Sequence, residues 1–242
     1  MLKRIQQLTQ KLTPVAPALS HTPAAQVLPW GDVRVQQILG SSGTSEPGGL
    51  VFAMDATFSR SATWAEALSV QGSMFQAFGP SLKVQLVYFR GGEFYASRWT
   101  RHAAGLAKEM RSVRCKTGAT QIARVLAHCE TVATREGMRA LVYVGDAMEE
   151  DADLLLGHAA KLAQRSIPLF MFQEGGDARA QTVFQELARV TNGAYVRFDE
   201  ASASRLKDLL TAAAVYAGGG RGALAALAKQ QPAARLLLEQ MK

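Results

Sequence analysis

The sequence predicts a doubly wound α/β domain with a mostly parallel six-stranded sheet and one antiparallel edge strand. Short apolar runs alternate with segments whose apolar residues recur at three- and four-residue steps, the pattern of strands connected by helices. Helices of this length between strands imply right-handed crossovers and a sheet that is covered on both faces. A Gly-Gly pair between the second and third runs predicts a hairpin, so one strand should be antiparallel.

The predicted strands are continuous apolar runs, as expected where a strand is buried on both faces. In order they are 50–54, 83–89, 94–99, 140–144, 167–172 and 194–198. The Gly-Gly pair at 91–92 joins the second to the third, so 94–99 is the antiparallel edge strand.

The predicted helices are recognised by their apolar spacing and by the residues that end them. They run through Trp64 to Phe78, Ile122 to Cys129, Leu154 to Leu162, Val183 to Leu187 and Leu206 to Leu210. Gly-Pro at 79–80 ends the first of these helices, and Asn-Gly at 192–193 ends the fourth.

The flanks differ from the domain in composition. Residues 1–47 are expected to form an extension, and the Ser- and Gly-rich stretch 41–49 predicts a flexible linker. The domain itself should span 48–217. Residues 218–242 form an Ala- and Leu-rich tail, interrupted at Pro232, that predicts one or two short helices. Its Leu residues, among them Leu224, Leu227 and the run 236–238, should pack on the domain or on a partner.

Composition limits the class of protein. The chain has 242 residues, of which 48% are hydrophobic and 19% charged, which suits one globular domain with extensions and excludes a disordered chain. No apolar run approaches the ~18 residues of a membrane-spanning helix, and the basic first residues lead into no hydrophobic signal segment. Cys115 and Cys129 are too few for a disulfide framework or a zinc cage. We expect a cytoplasmic protein.

The net charge is +7, and the Lys and Arg residues are scattered along the chain with no run of five or more. This pattern indicates a solvated basic surface, or a preference for an acidic partner, rather than a nucleic-acid interface.

Polar residues gather where predicted strands end. Asp55, Thr57 and Ser59 follow the first strand, Thr120 opens a helix, and Asp146 follows the fourth strand. In doubly wound sheets, ligands bind at the carboxyl ends of the strands. Two carboxylates and several hydroxyls, without a nitrogen or sulfur ligand, suit octahedral Mg²⁺ or Mn²⁺.

These residues resemble the metal-ion-dependent adhesion site (MIDAS) of von Willebrand factor type A (VWA) domains. The family pattern is Asp-x-Ser-x-Ser, then Thr, then Asp; here it is matched by Asp55-x-Thr57-x-Ser59, Thr120 and Asp146. Threonine replaces the first serine, and Gly-Asp-Ala replaces the common Ser-Asp-Gly; both changes keep the ligand atoms. The resemblance covers most of the predicted domain and implies a Rossmann-like VWA fold.

The resemblance implies a non-catalytic adaptor whose bound ion accepts an Asp or Glu carboxylate from a partner protein. Asp55 would reach the ion directly or through water, Ser59 and Thr120 through their hydroxyls, and Thr57 and Asp146 directly or by holding waters. The residues expected around the ion are Phe58, Arg60, Lys116, Met148 and Glu149. Stand-alone bacterial VWA domains resemble adaptor subunits of AAA+ ATPases, chaperone-like systems or metal-insertion complexes.

The sequence leaves several alternatives open. Ser59, Thr120 and either Asp146 or Asp151 could be helix N-caps. The acidic residues at 149–151 and 153 could favour a helix N-terminus or shape what docks beside the ion.

An Asp after the first strand also begins metal-dependent phosphotransfer sites, although Thr57 stands where a phosphatase of the haloacid-dehalogenase type has its second Asp. A nucleic-acid-binding protein would rest on net charge alone. Asp55 is expected at a loop tip, where its replacement leaves no core cavity.

Overall fold

One sheet organises the part of the chain that the computed structural model describes, which is residues 33–40, 47–57, 81–199 and 203–241. Its strands are β1 Gly48–Asp55, β2 Leu82–Arg90, β3 Glu93–Ala96, β4 Met138–Gly145, β5 Leu169–Glu174 and β6 Ala194–Phe198. They lie in the order β3-β2-β1-β4-β5-β6, and every neighbouring pair is parallel except β2 with β3. The predicted fold class is confirmed.

Helices cover both faces of this sheet. Within the described residues they are α1 Val33–Gly40, α2 Ala103–Ser112, α3 Ile122–Arg135, α4 Ala152–Ala163, α5 Ala178–Val190, α6 Ala203–Ala228 and α7 Pro232–Gln240. Side chains of α1, α2, α6 and α7 join one hydrophobic core, and those of α3, α4 and α5 join the other. None of these helices is long and apolar enough to cross a membrane. The predicted helix from Trp64 to Phe78 lies outside the described residues, as do residues 1–32.

Strand β1 shows why its sequence is a continuous apolar run. Successive side chains of a strand point to opposite faces. Leu50, Phe52 and Met54 enter the core beneath α6, whereas Val51 and Ala53 enter the core beneath α3 and α4, and all five are fully buried. The strand is therefore the centre of both layers, and its carboxyl end is held in place from both sides.

The predicted linker does not extend as far as Gly49, because β1 already begins at Gly48. A Cβ atom on Gly48 would lie 1.8 Å from the carbonyl oxygen of Ala217 in α6. Glycine is needed there because the helix backbone crosses the strand at close range, and composition alone cannot distinguish that need from flexibility.

Helix α2 was not predicted. It presents Leu106, Ala107 and Met110 to the core and polar residues on its other side. The preceding edge strand ends at Ala96 rather than at residue 99. The Ser97 N–H still donates to the Leu86 carbonyl of β2, but the Leu86 N–H donates to the Ser97 hydroxyl instead of to a backbone carbonyl.

The C-terminal segment is part of the same packing unit. Helix α6 continues through the glycines at 218–219 and kinks at Gly220, where φ is +71°. Leu224, Leu227 and Leu237 are buried in the core that also contains β1. The prediction that these leucines pack on the domain or on a partner is confirmed for the domain.

Candidate metal site

The carboxyl ends of β1 and β4 form the point where the sheet reverses its strand order. From β1 the chain proceeds outward through β2 and β3, and from β4 it proceeds through β5 and β6 to the other edge. Met54 pairs with Val144, so Asp55, which ends β1, and Asp146, which follows Gly145, leave adjacent strands at the same edge. Such a reversal leaves a crevice in which α/β sheets bind ligands.

Asp55 is held inside this edge rather than at a loop tip, which corrects the expectation from sequence. It is 0% exposed, and its Oδ1 accepts the backbone N–H of Thr57 at 2.7 Å. Thr57 is itself buried and pairs with Lys116, whose N–H donates to the carbonyl of Ala56 at 3.1 Å. The loop after β1 and the loop after α2 are thus joined beside the Asp55 carboxylate.

The loops before α3 and after β4 are joined by a reciprocal pair of hydrogen bonds. The N–H of Thr120 donates to Oε2 of Glu149 at 2.9 Å, and the N–H of Glu149 donates to Oγ1 of Thr120 at 3.4 Å. This exchange holds the Thr120 hydroxyl beside the segment that carries Asp146.

The neighbouring Glu150 closes the N-terminus of α3 from the same loop. Its carboxylate accepts the N–H of Ile122 and, at 2.9 Å, the N–H of Ala123. The guanidinium of Arg179 in turn donates to the Glu150 carbonyl at 3.0 Å. A carboxylate at a helix N-terminus satisfies unpaired N–H groups and interacts favourably with the helix dipole. We call Glu149 and Glu150 the acidic clamp.

Asp146 and Thr120 are not helix N-caps, although their sequence positions allow that role. Asp151 caps α4, accepting from Asp153 at 2.8 Å and Leu154 at 3.4 Å. Gln121, not Thr120, occupies the N-cap position of α3, and its side chain makes no capping bond. Asp146 and Thr120 are therefore not used to begin helices.

Asp146 shows that the residues present fit a hard cation. Its Oδ1 is buried and has no hydrogen-bond partner among the described residues. A buried oxygen without a partner costs about 1–3 kcal/mol, which a cation or a donor would recover. The described residues contain no cluster of three or more His, Cys, Asp or Glu side chains that could hold a metal, so the set depends on two carboxylates with hydroxyls and water. Mg²⁺ and Mn²⁺ suit such a set.

Close packing explains why the residue before Asp146 is a glycine, Gly145. A Cβ atom on Gly145 would lie 2.6 Å from the hydroxyl oxygen of Tyr143, a fully buried residue of the same strand. The bulk of Tyr143 explains why a serine, common at this point in the family pattern, is absent here.

Comparison with known proteins identifies the fold. No protein-family model and no curated protein sequence matches the chain. A von Willebrand factor type A structure from Catenulispora acidiphila superposes with a TM-score of 0.56 at 15% identity, over 70% of this chain and 43% of that one. The VWA domain of SpRpn10 gives 0.53 at 10% identity, over 66% and 95%. Manganese-loaded TRAP protein from Plasmodium vivax gives 0.51 at 16% identity, over 69% and 74%.

The chain has the VWA fold. At these identities the likeness establishes the fold alone. The chain spans less than half of the Catenulispora structure and 32% of human Sec24c, another match with a TM-score of 0.53.

Within this VWA fold, the predicted site residues divide into three groups. Four of the five predicted ligands lie at the carboxyl edge of the sheet: Asp55, Thr57, Thr120 and Asp146. The fifth, Ser59, lies outside the described residues, as do Phe58 and Arg60 of the predicted rim.

The other predicted rim residues differ from one another. Met148 is wrong as a rim residue: it is 3% exposed and packs in the core beneath α3 and α4. Lys116 and Glu149 are exposed, with the Lys116 ammonium paired to Glu93.

Proposed function

We propose that the chain is a non-catalytic protein-binding module that holds one divalent ion, Mg²⁺ or Mn²⁺, and through it binds an Asp or Glu of a partner protein. The observation that supports this most is the buried, unpartnered Oδ1 of Asp146 at the strand-order reversal, in the same edge as the Asp55 carboxylate. The manganese-loaded state of the TRAP protein, which shares the fold, is consistent with this choice of ion.

The chain's own residues would each have a defined part. Asp55 and Asp146 supply the negative charge, and the Thr57 and Thr120 hydroxyls supply neutral oxygens that leave the site with few anionic ligands. The sequence resemblance adds Ser59. A bound divalent ion with only two protein carboxylates supplies an acceptor position for a further carboxylate. The acidic clamp fixes the Thr120 backbone, so the hydroxyl need not be ordered when the ion binds.

Manganese binding tests the metal site directly. Titration of the full chain with Mn²⁺, followed by electron paramagnetic resonance of the free ion, should show one weak site per chain. Asp146→Asn should remove that site without lowering the melting temperature, since the amide preserves the shape of the side chain. Asp153→Asn, an exposed acid on α4, is the matched control and should bind Mn²⁺ like the parent. Equal binding by both variants, or no binding by the parent, would refute the metal site.

The partner can be sought with the same variants. Affinity capture with the parent chain should retain a protein, such as an AAA+ ATPase subunit or a component of another complex, in Mg²⁺ and release it in EDTA. Asp146→Asn should fail to retain that protein in Mg²⁺.

A further inference from the structure

Most of the net positive charge of the chain is concentrated in one segment. Residues 98–116 contain six Lys and Arg side chains and one Glu, which gives +5 of the total +7. Four of the six follow one another along α2 and the loop behind it, and all four are exposed: Lys108, Arg111, Arg114 and Lys116. We call these four the basic surface.

The basic surface is largely uncompensated within the described part of the chain. Lys116 is ion-paired with Glu93. Lys108 and Arg111 form no ion pair with any described residue, although they are three residues apart on α2 and repel each other. The Arg114 guanidinium donates to the carbonyl of Arg111 at 2.9 Å, which keeps its charge at the C-terminus of the helix. The charges of Lys108, Arg111 and Arg114 therefore remain available to an external anion.

The basic surface leads to the candidate metal site. Helix α2 packs Leu106 and Met110 on the sheet and exposes Lys108 and Arg111 on its opposite side. The chain then passes through Arg114, whose carbonyl accepts a bond from Arg90 of β2 at 2.9 Å. It reaches Lys116, which pairs with Thr57. Basic side chains thus lie from the solvent face of α2 to the edge that contains Asp55, and Glu93 neutralises the last of them, Lys116.

We infer that the basic surface binds an acidic segment of a partner protein, adjoining the carboxylate that the metal site accepts. That this acidic segment lies beside the metal site rests on the proposed function. That the segment is acidic follows from the basic surface alone. Helix α2 has 10 residues and so is about 15 Å long, a distance that an extended peptide covers with about five residues. The segment would therefore carry several Asp or Glu residues within about five positions of the metal-directed one.

The surroundings of Glu93, Glu109 and Trp99 favour a peptide over a nucleic acid. Glu93 and Glu109 lie among the basic residues, and the Tyr95 hydroxyl donates to the Glu109 carboxylate. A phosphate backbone carries evenly spaced charge that would meet these carboxylates, whereas acidic residues of a peptide can be spaced to avoid them. Trp99 is half-buried with the Lys83 ammonium 5.2 Å from its ring centroid, so its ring is not presented for base stacking.

A charge-reversal experiment on the full chain tests the inference. The probe is a fluorescein-labelled decapeptide of alternating Glu and Ser, measured by anisotropy at low salt in EDTA. Lys108→Glu/Arg111→Glu should weaken binding at least about tenfold. The control Arg205→Glu/Lys229→Glu makes the same change in net charge at two exposed positions of α6 and its following turn, and should change binding less than about twofold. A matching Gln and Ser peptide should not bind the parent chain.

The other outcomes identify what would replace the inference. Equal loss in both double variants would mean that only net charge matters, and no binding of the acidic peptide would remove the surface altogether. A single-stranded oligonucleotide that binds more tightly than the peptide, and is lost with Lys108→Glu/Arg111→Glu, would make the surface a nucleic-acid interface.

Repeating the peptide titration in Mn²⁺ instead of EDTA separates this inference from the proposed function. Peptide affinity that does not rise with Mn²⁺ would count against the metal site alone. Metal binding without peptide binding would count against the basic surface alone.

Discussion

The acidic clamp predicts a measurable stability effect at Glu150. Its carboxylate accepts from Ile122 and Ala123, two of the four N–H groups at the start of α3 that have no partner within the helix. Hydrogen bonds to charged groups contribute about 1.5–3 kcal/mol each, but water can replace part of this at a half-exposed site, and loss of a helix cap costs about 0.5–2 kcal/mol. We expect Glu150→Ala to lower the free energy of unfolding by about 2 kcal/mol.

For a chain of this size, that loss corresponds to a fall of roughly 4–8 °C in melting temperature. Glu150→Gln keeps one acceptor and should lose about half as much. Asp153→Ala removes an acid three residues away that makes no side-chain bond to α3, and should cost at most about 0.5 kcal/mol. Urea denaturation gives the free energies, and amide hydrogen exchange should show faster exchange at Ile122 and Ala123 in Glu150→Ala. If Glu150→Ala and Asp153→Ala are equally stable, the clamp does not hold α3.

Two further predictions concern close packing and pH. Gly48→Ala should destabilise the fold by about 3 kcal/mol or more, because the added Cβ would collide with Ala217. Gly157→Ala lies in an exposed turn of α4, where no described atom beyond the helix backbone lies within 4 Å of the added Cβ, and should stabilise the fold by about 0.5–1 kcal/mol. Equal urea midpoints for the two variants would contradict this. Burial lowers the pKa of His128, whose Nε2 lies 2.8 Å from Oε1 of Gln85. Because the pKa of His128 is lower in the folded state, the unfolded chain binds the proton more readily, and the free energy of unfolding should fall as pH drops from about 7 to about 5. His128→Gln should show a smaller fall. An equal fall in the parent chain and the variant would mean that His128 is not its cause.

The strands could be predicted because each one is a local apolar run. The bounds of β6, residues 194–198, agree with prediction, and the hairpin turn at Gly91 has the positive φ that a Gly-Gly pair allows. Helix α2 was not predicted because its described core residues, Leu106, Ala107 and Met110, are few and lie among small and charged residues rather than in a long apolar stripe. Its basic residues, Lys108 and Arg111, recur at helical spacing and form no consecutive run, so the sequence alone does not indicate a basic surface there.

The site could be predicted only as far as its position. Strand order places Asp55 and Asp146 at one edge whatever their surroundings. The burial of Met148 and the clamp on α3 depend on which loops meet, and Glu150 lies 28 residues from Ile122 in the chain. No local pattern encodes such a contact. The acidic residues were expected to favour the N-terminus of the following helix, and Asp151 does so, while Glu150 serves a different helix.

The two ends of the proposed interface carry opposite charges, so partner binding at each end should depend differently on the divalent ion. Asp55, Asp146 and the acidic clamp place carboxylates at one end, which repel an approaching Asp or Glu until a divalent ion offsets part of this negative charge and offers the partner's carboxylate a position to bind. The basic surface attracts the same partner whether or not the ion is present. Two contacts on one partner segment increase affinity together far more than either does alone, because the second forms within the complex. EDTA should therefore reduce partner affinity to the weaker, salt-sensitive binding of the basic surface, whereas Lys108→Glu/Arg111→Glu should slow association even with the ion bound.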